Sequence, residues 1–236
     1  MNIYIDESGT FAPAHETGKW NCVAAYLSPE DDHDSVLDAL RMLKRSVGVE
    51  DPSTEVKLGH VPESTYLAFI ERLSRFNGVV FAVACDAGMQ TKEETRRHQR
   101  IQGDLFDQQK HRMVFPEVRR YIAAFSTQLK QISPQLYVQL FCHTYLIHAA
   151  IARGVTYFIQ RFPNRLGTFR WRIDQKDNVN NVFQETYLKL ALPLIQTLSI
   201  QMPYPWLADV DYSAALIRAI NDWSLEHWVA KDPRYR

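Results

Sequence analysis

The first nine residues constrain the fold more than any other stretch. Asn2-Ile3-Tyr4-Ile5-Asp6-Glu7-Ser8-Gly9 alternates apolar and polar side chains, then stops at two acids, a hydroxyl and a glycine. Alternation with period two is the mark of a β-strand, so Ile3 and Ile5 share one face and Tyr4 and Asp6 the other. Asp6 would stand at the strand's carboxyl end, pointing away from the packed face. A carboxylate there is costly to desolvate alone, and a divalent cation shared with other carboxylates compensates it. The same string also suits a plain turn, in which Asp and Ser bond their own backbone and Gly supplies a positive φ.

Further along, residues 20–27 read as a second strand, and Asp32 or Asp34 can cap a helix carrying Val36, Leu37, Leu40, Leu43 and Val47. Pro62 opens another helix whose Tyr66, Leu67, Phe69, Ile70 and Leu73 predict a buried stripe. Residues 79–86 form a continuous apolar run ending in Asp86, as expected of a central strand covered on both faces. Residues 91–163 are helical in pattern; Pro116 either breaks the first part or begins its second helix, and the second part starts near Ser133-Pro134. A strand over residues 167–174 then places Phe169, Trp171 and Ile173 opposite Arg170, Arg172 and Asp174. A helix over 181–196, a short strand over 198–202 and a last helix over 214–228 complete the pattern. The expectation is an α/β domain, with a core of residues 1–90 and 164–236 and a helical insertion over 91–163.

A chain of 236 residues with 46% hydrophobic side chains can bury one sizeable core. Its 27 basic and 27 acidic residues cancel, so no global field draws it to nucleic acid or a membrane surface, and a polyanion site must be a local patch. There is no bilayer-length apolar stretch and no basic-then-apolar leader, which predicts a cytoplasmic protein without membrane contact. Cys22, Cys85 and Cys142 are odd in number, far apart and set in apolar runs, as buried free thiols would be. No glycine-rich phosphate loop is present, which argues against ATP use.

Asp6, Asp86, Asp174 and Asp209 or Asp211 each fall at a strand end or before a helix. Strands of one sheet can gather such ends at one edge, where ligands of open α/β sheets bind. Carboxylates so gathered would hold one or two Mg²⁺ or Mn²⁺ ions, a site suited to phosphodiester hydrolysis.

Tyr4-Ile5-Asp6-Glu7-Ser8-Gly9, Glu55-Val56-Lys57, the strand ending at Asp174 and Leu207-Ala208-Asp209 before the last helix together resemble the domain-of-unknown-function 3800 family, a branch of the RNase H-like fold. The order of elements matches over nearly the whole chain, and the opening motif is the sharp one. The resemblance implies an RNase H-like mixed sheet flanked by helices. It implies Asp6, Glu55, Asp174 and Asp209 as acidic ligands, with Lys57 beside the metal or the scissile phosphate. From the residues themselves, Glu7 and Asp86 would be adjacent or supporting acids, and Ser8, which has no neighbouring base to activate it, a turn residue or an outer hydrogen-bond donor. The family's leucine-glutamine-like lead into its last Asp is replaced here by Pro205-Trp206-Leu207, and Asp211 lies close by, so the last ligand is Asp209 or Asp211.

Glu55-x-Lys57 also allows a PD-(D/E)xK nuclease with Asp51 or another upstream Asp, or a plain surface ion pair. Arg96, Arg97 and Arg100 in the insertion, with Arg170 and Arg172 beside Asp174, are candidate phosphate contacts to DNA or RNA. Pairing with nearby acids such as Glu93, Glu94, Asp104 and Asp107 is the competing role. Trp223, Trp228 and the apolar helix over 134–162 would serve a homodimer or a partner protein, or be buried within the monomer. Three functions remain: a metal-dependent nuclease-like protein, a non-catalytic module binding nucleic acid or protein, and a phosphohydrolase of small phosphates.

Overall fold

The computed structural model describes residues 1–14, 16–51, 53–163, 166, 169–173 and 182–205. Strand β1 (Asn2–Ser8) pairs antiparallel with β2 (Trp20–Ser28), which pairs antiparallel with β3 (Val79–Asp86). On its other side β1 pairs in parallel with β4 (Arg170–Ile173), giving a mixed α/β sheet of order β3-β2-β1-β4 among the described residues. The reversal after β1 depends on Gly9. Its φ is +108°, and a Cβ there would lie 2.3 Å from Asn21 Oδ1, which accepts the Phe11 amide at 2.8 Å.

Ile3, Ile5, Val23, Ala25 and Leu27 are buried on one sheet face, with Phe81 and Val83 half-buried beside them. The helix α5 (Pro134–Ala149) covers that face with Val138, Cys142, Leu146 and Ile147. A wide turn over Ala150–Gly154 continues into α6 (Val155–Arg161), which adds Phe158 and Ile159. Gly154 permits this contact, since a Cβ there would lie 2.6 Å from Leu27 Cδ2.

Helix α5 is apolar around most of its circumference because it is buried on two sides. Its outer side, Tyr137 and Leu140, joins Phe125 and Leu129 of α4 (Pro116–Gln131) and Leu190, Ala191 and Leu194 of α7 (Val182–Gln201). Helix α3 (Lys92–Lys110) begins in a capping box between Thr91 and Glu94. It packs on α4 through Gln99, whose Nε2 donates to the carbonyls of Leu129 and Ile132 at 2.6 and 2.9 Å. Helices α1 (His33–Ser46) and α2 (Glu63–Leu73) pack on each other. Tyr4 Oη meets His33 Nδ1 at 2.7 Å, and Asp32 accepts the Asn77 amide at 3.0 Å.

Four sequence expectations are corrected. Strand β3 is an edge of the sheet among the described residues rather than a central strand: Val79, Phe81, Val83 and Cys85 face the core, whereas Val80 is 64% exposed. A continuous apolar run cannot by itself tell one covered face from two. The α2 stripe is largely uncovered, with Leu67 and Ile70 exposed, since α1 alone packs against it to any extent. The strand expected over 198–202 is the last turn of α7 up to Gln201; Pro193 within that helix does not end it. All three cysteines are free thiols, but only Cys142 is buried. Among the described residues no helix is long and apolar enough to cross a membrane.

Candidate active site

The two acids that close β1 go to opposite faces, as period two requires. Asp6 is exposed on the face away from α5 and accepts the Glu7 backbone amide on Oδ1 at 2.7 Å. The register places Tyr4 across from Tyr26 on β2 and Arg172 on β4, and Asp6 across from Ala24. These residues line a groove of about 420 Å³ together with Val80. Ala24 contributes only a methyl group to its floor. The Arg172 guanidinium lies 5.6 Å from the centre of the Tyr4 ring. Burial raises the Tyr4 hydroxyl above its ordinary value, with Arg172 opposing, and pushes the Tyr26 hydroxyl up to about 12. Both phenols are neutral at pH 7 and can donate.

Glu7 shares the face of Ile3 and Ile5, so its carboxylate enters the interface with α5. There Gln139 Nε2 donates to Glu7 Oε2 at 2.6 Å, and His143 Nε2 lies 3.0 Å from the same oxygen. The side chains are 9% exposed for Glu7 and 2% for His143. A carboxylate only accepts, so His143 presents an Nε2–H to it. The His143 ring makes a T-shaped contact with Tyr187 of α7, with ring centres 5.7 Å apart. Burial pushes the Tyr187 hydroxyl up to about 12. The sequence gives Glu7 only a neighbouring role beside Asp6, and no local pattern in α5 singles out His143 as its partner. The face shared with Ile3 and Ile5 was the signal for a buried partner.

The remaining acidic positions are dispersed. Glu55 and Lys57 lie in the loop before α2, not on a strand, and pair with each other as exposed side chains. Asp51 accepts from Ser53 and Thr54 in the same loop. Both carboxylate oxygens of Asp86 are taken by backbone amides, Gly18 at 2.8 Å and Gly88 at 2.9 Å, which fastens the loop after β1 to the end of β3. Ser8 is exposed at the end of β1. Asp174, Asp209 and Asp211 lie outside the described residues, as do Trp223 and Trp228. Among the described residues no group of three or more His, Cys, Asp or Glu is placed to hold a metal ion.

Of the candidate arginines, Arg170 pairs with Glu30 at 2.6 Å, and Arg172 lines the Asp6 groove. Arg96, Arg97 and Arg100 form no ion pair among the described residues, although Arg97 is close enough to Glu94 to help hold its carboxyl below the ordinary value. Asp104 and Asp107 both bind Lys130, at 2.6 and 2.7 Å, and Glu94 binds Thr91. A second, aromatic groove of about 370 Å³ lies between β3, α3 and α5. In it His98 Nδ1 meets Tyr137 Oη at 2.7 Å and the thiols of Cys85 and Cys142 are 3.9 Å apart. Burial pushes the Cys142 thiol up to about 12, so it is protonated and unreactive at pH 7.

No family model matches the chain, and neither a curated protein nor a solved structure matches it.

Proposed function

We propose that the protein is a divalent-metal-dependent, nuclease-like enzyme on an RNase H-like core, with residues 91–163 as a helical insertion. The observation that carries this reading is the setting of Asp6. It lies two residues before the end of β1, an inner strand of the sheet, without an ion pair among the described residues, in one groove with Arg172 of the parallel strand β4. The chain runs from Ile173 of β4 directly into Asp174. An exposed carboxylate of this kind is a hard oxygen donor that fits Mg²⁺ or Mn²⁺. Asp6 would be the central ligand, with Glu55, Asp174 and Asp209 or Asp211 as further ligands. A bound ion would activate water and stabilise the leaving oxygen of a phosphodiester. Arg172 would hold a phosphate at the groove, and Lys57, released from Glu55, would steady phosphate or hydroxide. Arg96, Arg97 and Arg100 would contact the backbone of DNA or RNA farther out.

The test is cleavage of labelled single-stranded, double-stranded and hybrid oligonucleotides with Mg²⁺ or Mn²⁺, comparing the native protein with Asp6→Asn and Asp174→Asn. Metal-dependent cleavage abolished in both variants is the expected result. Full cleavage by Asp6→Asn overturns the assignment. Products ending in a 2′,3′-cyclic phosphate would contradict hydrolysis to a 3′-hydroxyl and a 5′-phosphate.

A second reading, a non-catalytic nucleic-acid-binding module, is favoured by two observations among the described residues: the arginines of α3 have no ion-pair partner, and Glu55 stands apart from any acidic group of three. It predicts binding that survives Asp6→Asn and fails on charge reversal at Arg96, Arg97 and Arg100.

A further inference from the structure

We propose that the aromatic groove between β3, α3 and α5 is a binding site for a small organic cation, an alkylated ammonium received by the rings of Tyr137, Phe141 and Tyr145 and the Glu94 carboxylate. This groove shares no residue with the one that Asp6 lines.

Its volume of about 370 Å³ falls within the range of small-ligand pockets, about 300–1,000 Å³. The charge along its wall is one-sided. Among the described residues Glu94 is its one acid, and no lysine or arginine lines it. His98 adds no charge at pH 7, because burial lowers its imidazole below the ordinary 6.5. The Thr91 hydroxyl donates to Glu94 Oε2 at 2.8 Å, which leaves Oε1 without a hydrogen bond among the described residues. Hydrogen bonds from Thr91, with a smaller pull from the nearby Arg97, hold that carboxyl below its ordinary value and keep it ionised at neutral pH. Phe141 sits in the middle of a run of rings, its centre 5.3 Å from those of His98 and Tyr137 and 5.2 Å from that of Tyr145. Aromatic faces carry partial negative charge, and quaternary ammonium groups are the recurring ligands of such surroundings. The alkyl groups of such a cation also suit Val83, Val138 and the Met89 thioether, which complete the wall. An anion would meet only repulsion here, and an uncharged ligand would leave the carboxylate unanswered.

The experiment is a titration of choline, followed by nuclear magnetic resonance of the ligand, with the native full chain, Glu94→Gln, Tyr145→Leu and Phe141→Leu, and circular dichroism for each. Two probes of the same shape accompany it: the alcohol in which a tert-butyl group replaces trimethylammonium, and the anion tert-butylacetate. The native protein is expected to bind choline saturably, about 5-fold or more tightly than the alcohol, and not to bind the anion. Glu94→Gln keeps the capping box that starts α3, where glutamine serves as glutamate does, and is expected to lose most of the preference for choline over the alcohol. Tyr145→Leu keeps apolar bulk without the ring and is expected to weaken choline about 3-fold or more; it answers for the rings if Phe141→Leu does not fold. No saturable choline binding by the native protein, or an alcohol or anion bound as tightly, overturns the proposal. So does a folded Glu94→Gln protein that keeps the native preference for choline. Folded ring variants that bind choline as the native protein does overturn its placement in this groove.

Discussion

Glu7 and His143 meet side chain to side chain at 3.0 Å although 136 residues separate them in the chain. The contact joins the end of β1 to the middle of α5, so it exists only once the sheet and that helix have docked. Most of the apolar core lies along the same interface.

Removing the imidazole should therefore cost stability without a change in fold. His143→Ala leaves Glu7 in a dry interface with one donor fewer, and a buried polar group deprived of its partner costs about 1–3 kcal/mol. Urea unfolding at pH 7 measures it. An unchanged midpoint would mean that water reaches Glu7 and replaces the missing donor.

The turn after β1 gives a second expectation. At Gly9 a methyl group would meet both a φ of +108° and the Asn21 side chain at 2.3 Å. Gly9→Ala should lose about 1–3 kcal/mol, the scale of a strained left-handed residue. The adjacent exposed Ser8→Ala should stay within about 0.5 kcal/mol of the native protein. Equal midpoints for the two variants would show that the turn relaxes freely.

Much of this architecture is legible in the residues, and the reasons for what is not are specific. The alternation of Ile3, Ile5 and Val23, Ala25, Leu27 predicts β1 and β2 because each has one dry face, and a capping candidate at Asp32 together with Pro62 and Pro134 places α1, α2 and α5. Strand β3 misleads, because an apolar run records hydrophobicity but not which face a neighbour covers. The α2 stripe misleads for the same reason. Glu7 carries its signal in plain view, a carboxylate in phase with two buried isoleucines, but its partners lie on a helix more than 130 residues away and leave no local mark. Glu55 and Lys57 share a strand face only if a strand forms, and the loop they occupy instead makes them an exposed pair.

The α3 surface gives a third expectation, for oligonucleotide binding. Arg96, Arg97 and Arg100 are not neutralised by ion pairs among the described residues, so each can displace a counterion from a phosphate. Replacing all three by Glu should weaken binding of a labelled oligonucleotide. The slope of log affinity against log salt should fall by about 0.7–0.9 for each phosphate that the protein no longer neutralises. Fluorescence anisotropy over a salt series measures both. Weaker binding with an unchanged slope would indicate a distorted helix rather than fewer neutralised phosphates.

The α3–α4 pair carries a pH dependence of its own. Asp107 receives hydrogen bonds from Lys130 and Ser126, at 2.7 and 2.8 Å, which hold its carboxyl below the ordinary 3.8. A carboxyl depressed on folding adds stability that is fully present above the unfolded value and disappears as pH falls through the folded one. Lys130 works in the opposite sense. Its ammonium is raised above 10.5 by Asp104 first and then Asp107, so its share is present below that value and lost only as pH climbs through the folded one. Acidification from neutrality thus acts on the carboxylate side of the cluster. Asp107→Asn should be less stable than the native protein at pH 7, and the gap should narrow as pH drops from about 5 to about 2.5. Partial exposure of both side chains keeps the effect modest. Thermal melting of the two proteins across that range decides it: a gap that stays constant with pH would place the contribution of Asp107 in hydrogen-bond geometry rather than in its charge.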